Sequence, residues 1–225
     1  MRKITAQITR TVRMNSYLKL NRRKFILGLS AAFLSGCSGN YSGQYILDGF
    51  KCTADLPRGT RVYPIRIRKF ERLYLEEQEG LELCWAAAIQ AVYMYVGIDI
   101  SQERIVDKIR DTTKNKRYSS ATLNEILDGF GGNYSSWHVT NGIGNQLITD
   151  LMRGSVVILG LKNEKYKTGH VVVAYGATYV KDYNNTTYID QVMVWDPYIG
   201  EGFKRLSGCR VKDEIKFAIH PRVLG

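Results

Sequence analysis

Cys84 is the residue around which this sequence can do chemistry. It opens Cys84-Trp85-Ala86-Ala87-Ala88-Ile89, a run of good helix formers. Leu83, Ala87, Ala91 and Met94 recur at helical spacing, as do Ala88, Val92 and Tyr95. The segment is therefore expected to be a helix buried on most sides, with Gly97 as its stop signal. A cysteine in the first turn of such a helix sits at the positive end of the macrodipole, which favours the thiolate, the nucleophilic form. Taken alone, a cysteine in this position is more often a small core residue. Gln78, six residues upstream, adds a second group: its side-chain amide can donate to an oxyanion forming near Cys84.

Gln78, Cys84-Trp85-Ala86-Ala87-Ala88, Tyr95-Val96-Gly97 and Ser101-Gln102 together resemble the nucleophile segment of papain-like cysteine peptidases, in the flavour of the bacterial C39 and C70 groups. The resemblance implies an α+β fold. A helical half carries the cysteine, an antiparallel β half carries a histidine, and the site lies in the cleft between them. It also requires a histidine and a carboxylate or amide downstream.

Both are present. Gly169-His170 opens a β-branched run 86 residues after Cys84, and an imidazole beside a thiol can hold it as an ion pair and return the proton to a leaving amine. Asp196 ends the next apolar run, in Val194-Trp195-Asp196-Pro197. A hairpin with its turn midway brings residue 196 near residue 170, where Asp196 can accept from the imidazole and fix its tautomer. Papain has an asparagine here; the C39-like group resembles this chain in having Asp-Pro. Each residue has a plainer reading: Asp196-Pro197 as a turn starter, His170 as a half-buried strand histidine, Gln78 as surface. The set carries the argument. Gly169 leaves room for close approach of a backbone or substrate. By resemblance, Trp85 packs beside the site and Trp195 shields the His–Asp hydrogen bond. His138 and His220 fit no catalytic slot, and His220-Pro221 is expected to be exposed.

The elements that must position these groups follow from pattern. Thr60 to Arg68 alternates as a strand, and Pro64 puts it on a sheet edge. Ser101 is an N-cap with Glu103 in the first turn. Residues 111–120 are polar. Thr122-Leu123-Asn124-Glu125 fits a capping box, in a helix closed by Gly129. Tyr134 to Thr140 reads as a strand, Asn145 to Arg153 as a helix ending at Gly154, and Ser155 to Leu159 as a buried strand. Val171 to Tyr175 and Tyr188 to Trp195 form a hairpin joined by the polar 181–187. Phe203 to Leu206 and Ile215 to Ile219 add two strands. Helices first and strands later argue α+β independently of the resemblance.

The first 37 residues hold eight Lys or Arg and no Asp or Glu. Arg22-Arg23-Lys24 leads into a mainly apolar run of ten residues, Phe25 to Leu34, the length of a signal-peptide core and too short to span a bilayer. Leu34-Ser35-Gly36-Cys37 resembles a bacterial lipoprotein box, which implies lipidation of Cys37 and a membrane anchor. Asn21 to Leu27 also resembles a twin-arginine export signal, apart from Asn21, so the export route stays open. Met14 is an alternative start. Ser38 does not resemble an inner-membrane retention signal, which favours an outer-membrane address in a Gram-negative cell. The expected division is 1–37 signal, 38–59 tether and N-terminal segment, and 60–225 a single peptidase-like domain.

The whole chain is +11, with 32 basic and 21 acidic residues; beyond residue 37 it is only +3. The basicity belongs to targeting and gives no ground for nucleic-acid binding. Of the four cysteines, Cys52 and Cys209 remain as a pair that an oxidising envelope could join, or as two free thiols. Neither Cys-x-x-Cys nor His-Glu-x-x-His occurs, so no metal site and no cofactor are expected.

These observations lead to an exported, lipid-anchored cysteine peptidase acting on protein or peptide substrates. Cys84 is the nucleophile, His170 the proton shuttle, Asp196 its orienting partner and Gln78 an oxyanion donor. The same constellation serves cell-wall amidases and transglutaminase-like acyl transferases, and a non-catalytic binding lipoprotein could keep the scaffold. Oligomeric state and cleavage preference leave no mark in the sequence.

Overall fold

The computed structural model describes residues 61–110, 119–132, 134–138, 143–162, 169–181 and 187–222. The expected signal region, the tether, Cys37, Cys52, most of the polar stretch 111–120 and most of the polar turn 181–187 lie outside the described residues.

The chain runs β1 (Arg61–Arg66), α1 (Arg68–Glu71), α2 (Cys84–Tyr95), α3 (Gln102–Ile109), α4 (Leu123–Gly129), β2 (Tyr134–His138) and α5 (Ile143–Met152). It continues through β3 (Val157–Lys162), β4 (Gly169–Lys181), β5 (Thr187–Asp196), β6 (Gly202–Ser207), α6 (Gly208–Glu214) and β7 (Ile215–Pro221). This is the expected α+β order. The helix that begins at Cys84 comes early, and an antiparallel sheet makes up the later half.

Helix α2 is buried without interruption from Cys84 to Val92. It packs against β4 on one side and against α3 and α4 on another, so a one-sided apolar stripe would not suffice. The small side chains of Ala86, Ala87 and Ala88, each fully buried, allow that close packing. The helix stops as expected, with Gly97 at φ 86°. Ser101 caps α3, its Oγ accepting from Arg104 N at 3.3 Å. The capping box of α4 is complete: Thr122 Oγ1 accepts from Glu125 N at 3.3 Å, and Glu125 Oε2 accepts from Thr122 N at 2.7 Å. Gly129 closes α4 as expected. It is the last residue of α4, and a Cβ there would lie 2.7 Å from Ile89 Cδ1. Its bareness lets α4 approach α2, and its carbonyl accepts from Tyr93 Oη at 2.7 Å.

One seven-stranded antiparallel sheet has the order β2-β7-β3-β4-β5-β6, with β1 also on β4. Strand β4 is long enough to take two partners on one edge: β3 pairs with residues 169–174 and β1 with residues 176–181. Among the described residues β1 pairs with β4 alone, so Pro64 stands on an edge, where its missing N–H costs no ladder bond. The β4–β5 hairpin is longer than the two apolar runs and carries two irregularities, which leave Asp190 of β5 and Tyr175 of β4 without opposite numbers. They fall on opposite strands, so they cancel and the register at Val173↔Trp195 matches that at Lys181↔Thr187.

Two short helices, α1 and α6, were not expected from the pattern. The signal for α6 is local: Ser207 Oγ accepts from Arg210 N at 3.2 Å as an N-cap. His220 is also more enclosed than expected. It sits in β7 with Nδ1 3.2 Å from Asp150 Oδ2, and its side chain is 13% exposed. Pairing of β7 with both β2 and β3 holds it inside the sheet. Among the described residues no helix is long and apolar enough to cross a membrane.

Candidate active site

Cys84 is the first residue of α2, and no side chain caps the helix: Leu83 occupies the N-cap without a side-chain hydrogen bond. The first-turn N–H groups thus point out of the helix head without a capping side chain. His170 is the second residue of β4 and Asp196 the last of β5. The restored register puts Asp196 diagonal to His170 on one face of the sheet. His170 Nε2 lies 2.7 Å from Asp196 Oδ1, with both side chains buried.

Asp196 is held further. Its Oδ1 accepts from Tyr198 N at 2.9 Å, and Lys204 Nζ of β6 sits 2.5 Å from Oδ2. Burial pushes this carboxyl up, but His170, Lys204 and the Tyr198 N–H together bring it below the ordinary value. With Asp196 ionised, His170 Nε2–H is the donor and Nδ1 is the nitrogen left for Cys84, which lies within hydrogen-bonding reach of the ring. Burial acts against the imidazolium; Asp196 and Cys84 outweigh it and raise His170 to about 9. The ring is therefore cationic at neutral pH. Lys204 is likewise opposed by burial and raised by Asp196 and Glu201.

Gln78 is buried and bound into the same region. Its backbone N–H donates to Pro197 O at 2.8 Å, which fixes it against the residue after Asp196. Its Nε2 donates to Gly80 O at 2.7 Å, and the same carbonyl accepts from Leu83 N at 3.0 Å. One amide hydrogen is thus spent on the turn that leads into α2, which leaves the second to donate elsewhere. The loop around Gln78 is gripped by Gln102, which is fully buried. Its Nε2 donates to Glu77 O at 2.8 Å and its Oε1 accepts from Glu79 N at 3.1 Å. Gln90 joins this network, donating to Glu76 Oε2 at 2.7 Å and accepting from Gln102 at 3.1 Å.

A cleft of about 650 Å³ opens beside Cys84 and His170, between α2 and α4 on one side and β3, β4 and β7 on the other. Trp85 forms part of its wall, with Nε1 donating to Ser119 O at 3.3 Å. Arg110 lies over the Trp85 ring at 4.9 Å and donates to Ser119 O and Ser120 O, both at 2.8 Å. Gly169 lines the cleft too. A Cβ there would meet only Leu161 O, at 3.9 Å, so the protein itself does not demand a glycine and the open space belongs to the cleft.

Trp195 does not sit where the resemblance would put a shield. One residue from Asp196 in an extended strand, it faces the opposite side of the sheet, in the buried core. The ring beside the His–Asp pair is that of Tyr198, edge-on to His170 with centroids 6.5 Å apart. Cys84 is a free thiol, whereas Cys209 is disulfide-bonded; the expected partner, Cys52, lies outside the described residues. Tyr198, Lys204, Gln102 and Arg110 were missed as site residues. Each acts through a fold-dependent contact, and only Gln102, an uncharged polar residue in the first turn of an amphipathic helix, left a local sign. Among the described residues no three His, Cys, Asp or Glu side chains could together hold a metal ion.

A family model matches residues 69–208, and the chain belongs to the Peptidase_C39 like family. No curated protein matches it. Among solved structures it is similar to the peptidase domain of Streptococcus ComA, a bi-functional ABC transporter involved in a quorum-sensing pathway. The identity is 18%, covering 64% of this chain and 94% of that one, at a TM-score of 0.47. A putative C39-like peptidase from Bacillus anthracis is 10% identical over 70% of this chain and 97% of its own, at a TM-score of 0.46. A double-glycine motif protease from an AMS/PCAT transporter, in complex with the leader peptide, is 10% identical over 67% and 92%, at a TM-score of 0.36.

Proposed function

We propose that the protein is a cysteine peptidase that hydrolyses peptide bonds through Cys84, His170 and Asp196. The observation that carries this reading is the ordered contact Asp196–His170–Cys84, in which a buried carboxylate holds the imidazole by one nitrogen and leaves the other for the thiol. The Cys84 thiolate attacks the carbonyl carbon and forms a tetrahedral oxyanion. The second amide hydrogen of Gln78 and the backbone N–H of Cys84 donate to that oxygen. His170 gives its proton to the leaving amine, an acyl thioester remains on Cys84, and His170 then takes a proton from the water that hydrolyses it. The uncapped head of the helix at Cys84 and the bond that ties Gln78 to the turn before it support this assignment of the oxyanion donors.

The same reading includes export and a lipid anchor at Cys37, which rests on the basic lead, the ten-residue apolar run and the Leu34-Ser35-Gly36-Cys37 box. It also includes a Cys52–Cys209 bridge, supported by the bonded state of Cys209 and the free state of Cys84. Incubation of the reduced and the oxidised protein with a denatured protein such as casein tests the chemistry. Peptide release by the wild type and none by Cys84→Ala is expected. Release of amines from purified cell wall, with casein untouched, would replace the peptidase by a cell-wall amidase.

A further inference from the structure

We propose that the cleft carries a subsite for a carboxylate of the substrate, formed by Lys216, so that the preferred peptide has Asp or Glu next to an apolar residue near the cleaved bond. This rests on the peptidase reading.

The subsite is built by a fault in the sheet. Gly160 of β3 faces Phe217 of β7, but the next residue, Leu161, faces Ile215. Lys216 is the extra residue between them. Such a bulge breaks the alternation of the strand and re-aims the side chain it carries. Here Lys216 lines the same cleft as Cys84 and His170. The neighbouring Phe217 lies against Gly160, where a Cβ would come within 2.1 Å of its ring. Phe217, Leu161, Val171 and Ile126 make the cleft wall apolar, and Lys216 adds a positive charge to it away from His170.

The charge is one-sided. Among the described residues no Asp or Glu lines this cleft, and Lys216 has no carboxylate partner. A small recess shares Cys84, Ser120, Gly169 and His170 with the cleft and then continues past Leu81, Glu82 and Tyr198. Its one acidic residue, Glu82, accepts from Ser120 N at 2.6 Å. A peptide laid across Cys84 thus meets positive charge on one side and negative charge on the other. An acidic residue is favoured on the lysine side only, and because Lys216 is exposed the preference is screened by salt.

The test is cleavage of a proteome-derived peptide library by the full chain, read by mass spectrometry without assuming which side of the bond matters. Asp or Glu should be enriched about fivefold at one position within about three residues of the cut, on one side only. The enrichment should shrink at high salt, disappear in Lys216→Gln and turn into a preference for Lys or Arg in Lys216→Glu. Wild-type cleavage with no acidic enrichment, or with an enrichment that Lys216→Gln leaves intact, overturns the subsite and leaves the peptidase standing. No cleavage above that of Cys84→Ala overturns both.

Discussion

At the scale of single residues, the site depends on which nitrogen of His170 each neighbour takes. Asp196 takes Nε2, and its ionised state is secured from three directions: His170, Lys204 and the Tyr198 N–H. Asp196→Asn keeps an acceptor for Nε2–H and so keeps the tautomer, but it removes the charge that raises His170. The alkaline limit of activity should then move from about 9 towards the ordinary imidazole value of about 6.5. Asp196→Ala, which also loses the orientation, should reduce turnover by about 10²-fold or more. A pH–rate profile of the two variants checks both. Cys84, Gln78, His170 and Asp196 were singled out through the resemblance to papain-like peptidases, each having a plainer reading alone, and the structure brings His170 against Asp196 and within reach of Cys84. Tyr198 and Lys204 were not legible, since a tyrosine after Asp-Pro and a lysine in an edge strand are common everywhere. Only the approach of β6 to the end of β5 gives Lys204 its carboxylate.

At the scale of elements, two close packings set the geometry. Gln102 reads the carbonyl of Glu77 and the N–H of Glu79, the two neighbours of Gln78. Gln102→Ala would remove both bonds from these half-buried groups, at a cost of about 1 kcal/mol, and would free the loop that holds Gln78. A lowered melting temperature together with a drop in kcat is expected from calorimetry and kinetics on the same sample. Gly160 is the other case. A methyl group there would push directly into the Phe217 ring, so Gly160→Ala should cost about 1–3 kcal/mol. Phe217→Ala should cost less in that background than in the wild type, and a double-mutant cycle measures the difference. The elements themselves were mostly readable. The capping box of α4, the serine cap of α3 and the apolar runs of β3, β4 and β5 are local signals, and each formed where it stood. The further role of Gly129 was not readable, because a glycine that only ends a helix and one that also admits a neighbouring helix look the same in sequence. The Lys216 bulge was invisible for a similar reason: Ile-Lys-Phe-Ala-Ile alternates as an ordinary strand, and the extra residue exists only relative to β3.

At the scale of the whole molecule, the order of halves does the positioning. The cysteine rides on a helix enclosed by β4, α3 and α4, while the histidine and aspartate ride on adjacent strands of one hairpin. Neither half holds the constellation alone, so its assembly reports the fold. The sequence showed the two halves but not the strand order, because the pairing of β7 between β2 and β3 is a long-range choice with no local mark. The measurement that tests the central claim most directly is the rate of Cys84 alkylation by iodoacetamide as a function of pH, followed on the Cys84 peptide by mass spectrometry in the wild type and His170→Ala. A cationic His170 against the thiol predicts fast alkylation that persists well below about pH 7 and is lost in the variant. A rate that rises only near the ordinary thiol value of about 8.5, unchanged by the substitution, would contradict it.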